Sequence, residues 1–174
     1  MENKLEKASL ELIKSLKLPA LVSEIFNGNI SDPEIDELMK YDYHKADSIF
    51  ELSEEGREIY HVERFMPILQ FNSSQILAYD VLRSGFILYD LEVGIENPHA
   101  YTWDGVWLDE VSFWWENEWQ DDEIRKVAKA LDLKYVDEII ESLEQNDEEG
   151  TLSTFEEKDA WLNKMINKYG LRVG

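Results

Sequence analysis

The chain of 174 residues contains no cysteine. Disulfide bonds, zinc–thiolate sites and a cysteine nucleophile are therefore excluded. The sequence also lacks any run of about 18 apolar residues that could span a membrane, and the segment after Met1 has no apolar signal core. We therefore expect a cytoplasmic protein. A chain of this length can bury enough surface in one hydrophobic core to fold without cross-links.

Cationic side chains are scarce. The sequence has 17 Lys and Arg against 38 Asp and Glu, which gives a formal net charge of -21. Nucleic acids and anionic membranes are bound through Lys and Arg, so the composition argues against both as ligands. Trp, Tyr and Phe are nevertheless too plentiful for a disordered chain. The length and composition predict one folded domain across residues 1–174.

The scarcity of cations is greatest in the middle of the chain. From Phe65 to Ile124 the only Lys or Arg is Arg83. The part that begins at Ser84 holds eleven acidic residues and five of the six tryptophans. Acidic side chains without counter-charges repel one another and oppose compaction. Their concentration beside large aromatic side chains therefore predicts a surface for a basic partner.

Helical periodicity dominates the N-terminal third. The first predicted helix carries apolar residues at helical spacing: Leu5, Ala8, Leu12 and Leu16. A second, short helix is expected to begin at Pro19 and to end at Asn27–Gly28. A capping side chain followed by proline, at Asp32 and Pro33, predicts the start of a third helix. Residues 41–63 are expected to form short helical and extended pieces.

The period changes to about two at Phe65. Three short apolar runs, at residues 65–71, 75–81 and 85–91, are separated by turn residues and predict an antiparallel meander. Pro67 is expected at an edge or a bulge, because proline cannot donate a ladder hydrogen bond. The helical period returns after Trp103. The predicted fold class is therefore α+β, with a small antiparallel sheet at about residues 65–91 flanked by N-terminal and C-terminal helices.

Helix signals continue to the C-terminus. Ile124, Val127, Ala128 and Leu131 repeat at helical spacing, and so do Val136, Ile139, Ile140 and Leu143. Residues 146–150 are polar and acidic and are predicted to form a loop. Thr154 with Glu157 has the spacing of a capping box, which predicts a last helix ending at Gly170.

The sequence shows no convincing catalytic or metal-binding pattern. The three histidines, His44, His61 and His99, are far apart and lack the i, i+4 partners typical of a zinc site. The serines are not in a nucleophile-elbow motif, and the glycines do not form a phosphate-binding loop. We therefore predict no catalytic residues, no metal and no cofactor.

One enzymatic alternative remains open. Asp104, Asp109 and Glu110 lie among Trp103 and Trp107, and a glycosidase uses two carboxylates in different environments beside aromatic platforms. A small carbohydrate-active hydrolase is therefore an alternative function. A general acidic interaction or regulatory protein is another.

The tryptophans after Trp103 are predicted to share one helix. Its predicted core-facing stripe comprises Leu108, Val111, Trp115 and Trp119. Trp107 and Trp114 lie beside that stripe. They either pack under a neighbouring helix or are exposed as anchors for a partner, a role for which Trp is favoured.

The predicted partner-binding surface combines seven acidic residues with these two tryptophans: Asp104, Trp107, Asp109, Glu110, Trp114, Glu116, Glu118, Asp121 and Asp122. No Lys or Arg occurs between Arg83 and Arg125, so these carboxylates are expected to lack local counter-charges. A basic protein would supply them, and exposed charge complementarity mainly accelerates association.

Three parts of the sequence resemble the SUKH superfamily. These are the Leu18–Pro19 pair followed by Asn27–Gly28, the apolar runs 65–68, 75–80 and 85–90, and the acidic, aromatic stretch 107–119. The resemblance covers about residues 4–120. It implies a non-enzymatic binding protein. Bacterial members of the superfamily are immunity proteins that neutralise toxins, many of them nucleases, and yeast members regulate cell-wall synthesis. The function expected is therefore an immunity-type protein that binds a basic toxin.

Overall fold

The structure is a computed structural model that describes residues 3–174. The backbone divides into two compact units, the first ending at Ala100 and the second beginning at Tyr101. Helices and an antiparallel sheet make up the first unit, and the second is mostly helical. The predicted α+β class is confirmed. That the two units form a single domain stays a prediction.

The first unit begins with helices whose ends are set by local signals. Its helices are α1 Lys4–Ser15, α2 Ala20–Asn27, α3 Pro33–Met39, α4 Asp47–Phe50 and α5 Glu54–Arg57, followed by a 3-10 turn at Glu58–Tyr60. Gly28 ends α2 in the left-handed conformation, with φ of 69°. The Asp32 side chain caps α3, with Pro33 in the first turn. The predicted start and end of α2 and the predicted start of α3 are confirmed to within one residue, and α1 covers the predicted apolar stripe except for Leu16.

Four strands of the first unit form an antiparallel meander. They are β1 Tyr43–Lys45, β2 Phe65–Phe71, β3 Gln75–Asp80 and β4 Gly85–Asp90, each paired with the next. The β2–β3 register shifts between Pro67 and Leu69, so Pro67 lies at a bulge, as predicted. At the far end of the β3–β4 pair, Asp80 is opposite Gly85.

The central strands are buried on both faces. The side chains of Ile68, Leu69, Ile76, Leu77 and Ile87 are 0% exposed. Two-sided burial explains why these strands appear in the sequence as continuous apolar runs. Burial of one such side chain contributes roughly 1.5–3 kcal/mol relative to exposure.

The second unit is built from four helices. They are α6 Trp103–Glu116, α7 Asp121–Ala130, α8 Val136–Glu148 and α9 Phe155–Tyr169, followed by the short strand β6 Arg172–Val173. The short strand β5 Ala100–Tyr101 contains the last residue of the first unit and the first residue of the second. Helix α6 packs against α7, α8 and α9. The expected cap at Thr154 and stop at Gly170 are confirmed.

Two local features of the second unit concern helix ends. The predicted loop at 146–150 is wrong for its first part, because α8 continues to Glu148. The Asn146 side chain donates a hydrogen bond of 2.7 Å to the carbonyl of Ser142, one turn earlier in the same helix. Near the start of α6, a Cβ atom at Gly105 would overlap the carbonyl oxygen of Leu171. Glycine is therefore required there by close approach of the two backbones.

Candidate functional site

Trp107 and Trp114 form the buried side of α6. Both are 0% exposed, so the prediction that they could serve as exposed anchors is wrong. The two residues are seven positions apart and therefore lie on one face of the helix. Their rings contact each other, with centroids 6.2 Å apart. They stabilise the second unit and cannot contact a partner.

The tryptophan contacts continue on both sides of this pair. The Trp103 ring meets Trp107 edge-on at 5.6 Å, and Trp119 stacks on Trp114 at 4.8 Å. Trp103 Nε1 also donates to the Leu131 carbonyl at a distance of 2.7 Å. Trp115 and Trp119, predicted to face the core, are only half-buried. Because α6 is packed by three helices, its buried face is wider than the predicted stripe and is centred on Trp107 and Trp114.

Glu110 also belongs to the interior. Its residue is 3% exposed, because it lies three positions after Trp107 and four before Trp114 on the same face. Its predicted place on a binding surface is therefore wrong.

The Asp104 side chain accepts a hydrogen bond within the second unit. Its Oδ1 accepts a hydrogen bond of 2.6 Å from the backbone N–H of Lys134, while Asp104 lies in the first turn of α6. A carboxylate there interacts favourably with the helix dipole. Asp104 therefore joins α6 to the α7–α8 connection.

The exposed side of α6 carries a different stripe. Asp109, Phe113 and Glu116 are all exposed and are spaced i, i+4, i+7. Phe113 is 40% exposed and lies between the two acids on this stripe. An aromatic side chain thus remains at the surface beside carboxylates, although it is not one of the predicted tryptophans.

Helix α9 extends this stripe. Lys158 Nζ lies 2.9 Å from Glu116 Oε1 and joins the first turn of α9 to the end of α6. Asp159, the next residue, is exposed, and Phe155 lies one helical turn before it with 84% exposure. We name the surface made by Asp109, Phe113, Glu116, Phe155 and Asp159 the α6–α9 acidic face.

The ionised form of Asp109 on this face is disfavoured by its surroundings. Surrounding protein atoms raise the pKa of Asp109 by desolvation, although its side chain reaches the surface. The neighbouring charges of Glu116 and then Asp159 raise the same pKa further, while Lys158 lowers it. A cation placed beside Asp109 would favour its charged form and so oppose both effects.

The remaining predicted residues lie beyond the end of α6. Glu118 is exposed in the left-handed conformation, with φ of 63°, and Asp121 is half-buried in the first turn of α7. The Asp122 side chain is 97% exposed, and its Oδ1 lies 3.4 Å from Arg125 Nη1. The same arginine forms a second ion pair through Nε, 2.8 Å from Asp137 Oδ1.

The expectation that these carboxylates lack local counter-charges is therefore partly wrong. Arg125 lies beside Asp122, and Lys158, distant in sequence, lies beside Glu116. Exposed ion pairs of this kind are each worth roughly 0–1 kcal/mol, so a partner's cations can compete with them.

Three further observations on the described part of the chain concern metal sites, membrane spans and the glycosidase alternative. Within residues 3–174, no three His, Asp or Glu side chains form a cluster that could hold a metal ion. No helix in this range is long and apolar enough to cross a membrane. Of the two tryptophans in the glycosidase alternative, Trp107 is buried and cannot stack on a sugar, whereas Trp103 is half-buried.

Comparisons of the chain with family models, with curated proteins and with solved structures give no match in any of the three. The resemblance to the SUKH superfamily therefore stays a prediction.

Phe113, Phe155 and Asp159 were not predicted as site residues. Phe113 follows Asp109 by four positions, so the helical period alone would have placed it beside that acid. For Phe155 and Asp159 the sequence holds no comparable signal, because their place beside α6 depends on the packing of α9.

Proposed function

We propose that the chain is a non-enzymatic binding protein that recognises a basic protein through the α6–α9 acidic face. The role that fits is that of an immunity protein neutralising a basic toxin. One observation carries the proposal: exposed Phe113 lies about one helical turn from both Asp109 and Glu116, and exposed Phe155 lies one turn from Asp159, whose charge acts on Asp109. A basic partner would be attracted by the charges and anchored by the rings.

The energetics of this face favour a cationic ligand. Aromatic side chains bring large contact area at low entropic cost and dominate binding energies at protein interfaces. The carboxylates around them add attraction for Lys and Arg and speed encounter. The net charge of -21 extends that attraction beyond the contact surface.

A nuclease toxin offers matching chemistry. Its nucleic-acid site is rich in Lys and Arg because it must neutralise phosphates. Carboxylates at the spacing of one to two helical turns can occupy such a site in place of phosphates. This step rests on the predicted family resemblance and on the charge of the face.

The test begins with the genes beside that of this chain: a neighbouring toxin gene is expected, its absence would contradict the immunity role, and its product is used in a growth assay. Co-expression of the wild-type chain should restore growth. The double variant Asp109→Asn/Phe113→Gln should fail to do so, because it removes one charge and one ring from the face without lowering helix propensity appreciably at either position. Circular dichroism checks that the variant is folded.

A matched control changes one exposed acid and one exposed apolar residue elsewhere. Glu92→Gln/Val93→Gln does this in the turn after β4, where Val93 is 83% exposed. The control should protect cells as well as the wild type. Failure of the wild type to protect would contradict the immunity role, and protection by the Asp109/Phe113 variant would contradict the assignment of the face.

A further inference from the structure

Two arginines in the first unit converge on one buried carboxylate. The Asp80 side chain is 0% exposed and ends strand β3. Arg64 donates to it through Nε and Nη2, both at 3.2 Å, and Arg83 through Nε at 2.6 Å. The backbone N–H groups of Leu82 and Arg83 also donate to it, at 3.0 and 3.3 Å.

This arrangement leaves an excess positive charge. One carboxylate neutralises only one of the two guanidinium groups. Desolvation raises the pKa of Asp80, but the hydrogen bonds from Arg64 and Arg83 together have the larger effect and lower it to about 2. Asp80 therefore stays ionised at neutral pH, and the cluster carries a net charge of about +1 in a strongly acidic protein.

The same arginines retain donors for a further acceptor. Arg83 Nη2 donates to the Pro98 carbonyl at 2.7 Å, which ties the 95–99 segment to the end of β3. Among residues 3–174, the bonds of Arg64 and Arg83 use only Nε and Nη2 of each side chain. A guanidinium has five N–H groups, so both Nη1 groups remain available.

A pocket of about 390 Å³ opens over these arginines. His61 and His99 line it with Arg64 and Arg83, so two of the three histidines of the chain lie at this one concavity. The lining found within residues 3–174 contains no Asp or Glu. Its volume is within the range of roughly 300–1,000 Å³ that is typical of small-molecule sites.

The rest of the lining is mainly apolar. Phe65, Ile95 and Pro98 contribute to the wall, and Asn97 adds an amide. The Arg64 guanidinium lies over the Phe65 ring, 4.8 Å from its centroid, which holds the arginine in place. The pocket thus combines a cationic floor with walls suited to an organic group.

We propose that this pocket binds a small organic phosphate monoester. Two guanidinium groups and two imidazoles surround the pocket and can donate to the several terminal oxygens of a phosphate. A carboxylate has only two oxygens in one plane, which a single arginine satisfies. The organic part of the ligand lies against Phe65, Ile95 and Pro98. The proposal is independent of the α6–α9 acidic face.

The test is an NMR titration of the ¹⁵N-labelled full chain with phenyl phosphate. Saturable shifts are expected at the backbone amides of Arg64, Arg83 and Asn97. Inorganic phosphate should bind the same site more weakly, because it lacks the organic group. Benzoate, which has the ring but a carboxylate, should also bind more weakly.

The variant His61→Asp/His99→Glu places two carboxylates in the pocket and leaves Asp80 itself unchanged. Asp suits position 61, where φ is 45°. Affinity for phenyl phosphate should fall by at least about tenfold, since like charges repel the ligand. His99→Glu alone, measured in parallel, should weaken binding in the same direction even if the double variant folds poorly.

The control Asn29→Asp/Asn163→Asp adds the same charge at two exposed positions outside the pocket. It should bind within about twofold of the wild type, because exposed charges are screened over about 10 Å. Absence of saturable shifts with phenyl phosphate would overturn the proposal. Binding of benzoate as tight as that of phenyl phosphate would overturn the phosphate assignment. Unchanged affinity for phenyl phosphate in both histidine variants would overturn the assignment of the binding site to this pocket.

Discussion

Replacement of Asp80 by asparagine tests the main polar cluster of the first unit. Asn can keep an oxygen where Oδ1 accepts from the backbone N–H groups of Leu82 and Arg83. The other oxygen becomes an NH₂ group facing two donors, Arg64 Nη2 and Arg83 Nε. The variant therefore loses two charge-assisted bonds and leaves two guanidinium groups without their counter-charge.

The structure sets the size of the effect. Breaking a fully buried ion pair by removing one partner costs roughly 3–5 kcal/mol. Asp80 is wholly buried, but Arg64 and Arg83 are 41% and 31% exposed and can recover some hydration. We therefore expect a loss near the lower end, about 3 kcal/mol, in the free energy of unfolding.

Urea denaturation followed by circular dichroism measures this loss, and a thermal scan should show a Tm lower by about 6–12 °C. Asp90→Asn is the matched control. Asp90 ends β4 as Asp80 ends β3 and accepts from the N–H groups of Glu92 and Val93, but has no arginine contact in the described structure. Its replacement should cost less than about 0.5 kcal/mol. Equal losses in the two variants would refute the reasoning, because only the turn bonds are common to both.

Three further outcomes are expected in unfolding experiments. The pKa of Asp80 is depressed in the folded state, so its ionised carboxylate contributes about 2 kcal/mol to the free energy of unfolding above about pH 4. This contribution is lost as the pH falls toward about 2. The stability difference between wild type and Asp80→Asn should therefore shrink over this range, and a constant difference would contradict the prediction. Tyr89→Phe should raise the free energy of unfolding by about 1 kcal/mol, because the buried hydroxyl has no hydrogen-bond partner among residues 3–174; a loss of that size would contradict this. Gly105→Ala should destabilise by about 2 kcal/mol through overlap with Leu171, whereas the same change at an open helical site is stabilising, so a stabilised variant would refute the close approach.

Helix ends and the meander could be predicted because their signals are local. Gly28 and Gly170 adopt the left-handed conformations that end helices, and Asp32 and Thr154 cap with their own side chains. The strand period and the turn residues likewise lie within each segment. The missing N–H donor of proline predicted an edge or a bulge at Pro67, and the structure has the bulge.

The functional surface could be predicted only in part. Helix α6 is apolar around much of its circumference, so the period could not decide whether Trp107 or Trp115 faces the interior. The answer depends on how α7, α8 and α9 pack around it. The counter-charge of Lys158 was missed for the same reason, since it reaches Glu116 from 42 positions away in sequence. Arg125, three positions after Asp122, could have been predicted from the helical period. The phosphate-binding proposal also depends on residues far apart in the chain.

The binding proposal makes a direct claim about charge and rate. Asp109→Asn/Glu116→Gln/Asp159→Asn removes the three carboxylates of the α6–α9 acidic face and leaves both exposed rings in place. The variant should be about as stable as the wild type, because relief of the disfavoured charge on Asp109 offsets loss of the exposed Glu116–Lys158 ion pair. A control with the same change in net charge is Glu11→Gln/Glu51→Gln/Glu92→Gln, at exposed positions of the first unit.

The decisive measurement is the association rate constant of each form with the basic toxin, by stopped-flow fluorescence from about 0.02 to 0.5 M salt. The wild type and the control should associate rapidly at low salt and slow steeply as salt rises. The variant of the face should associate several-fold more slowly at low salt and show a flatter dependence. If the variant and the control instead gave the same rate at every salt concentration, the α6–α9 acidic face would not be the binding site.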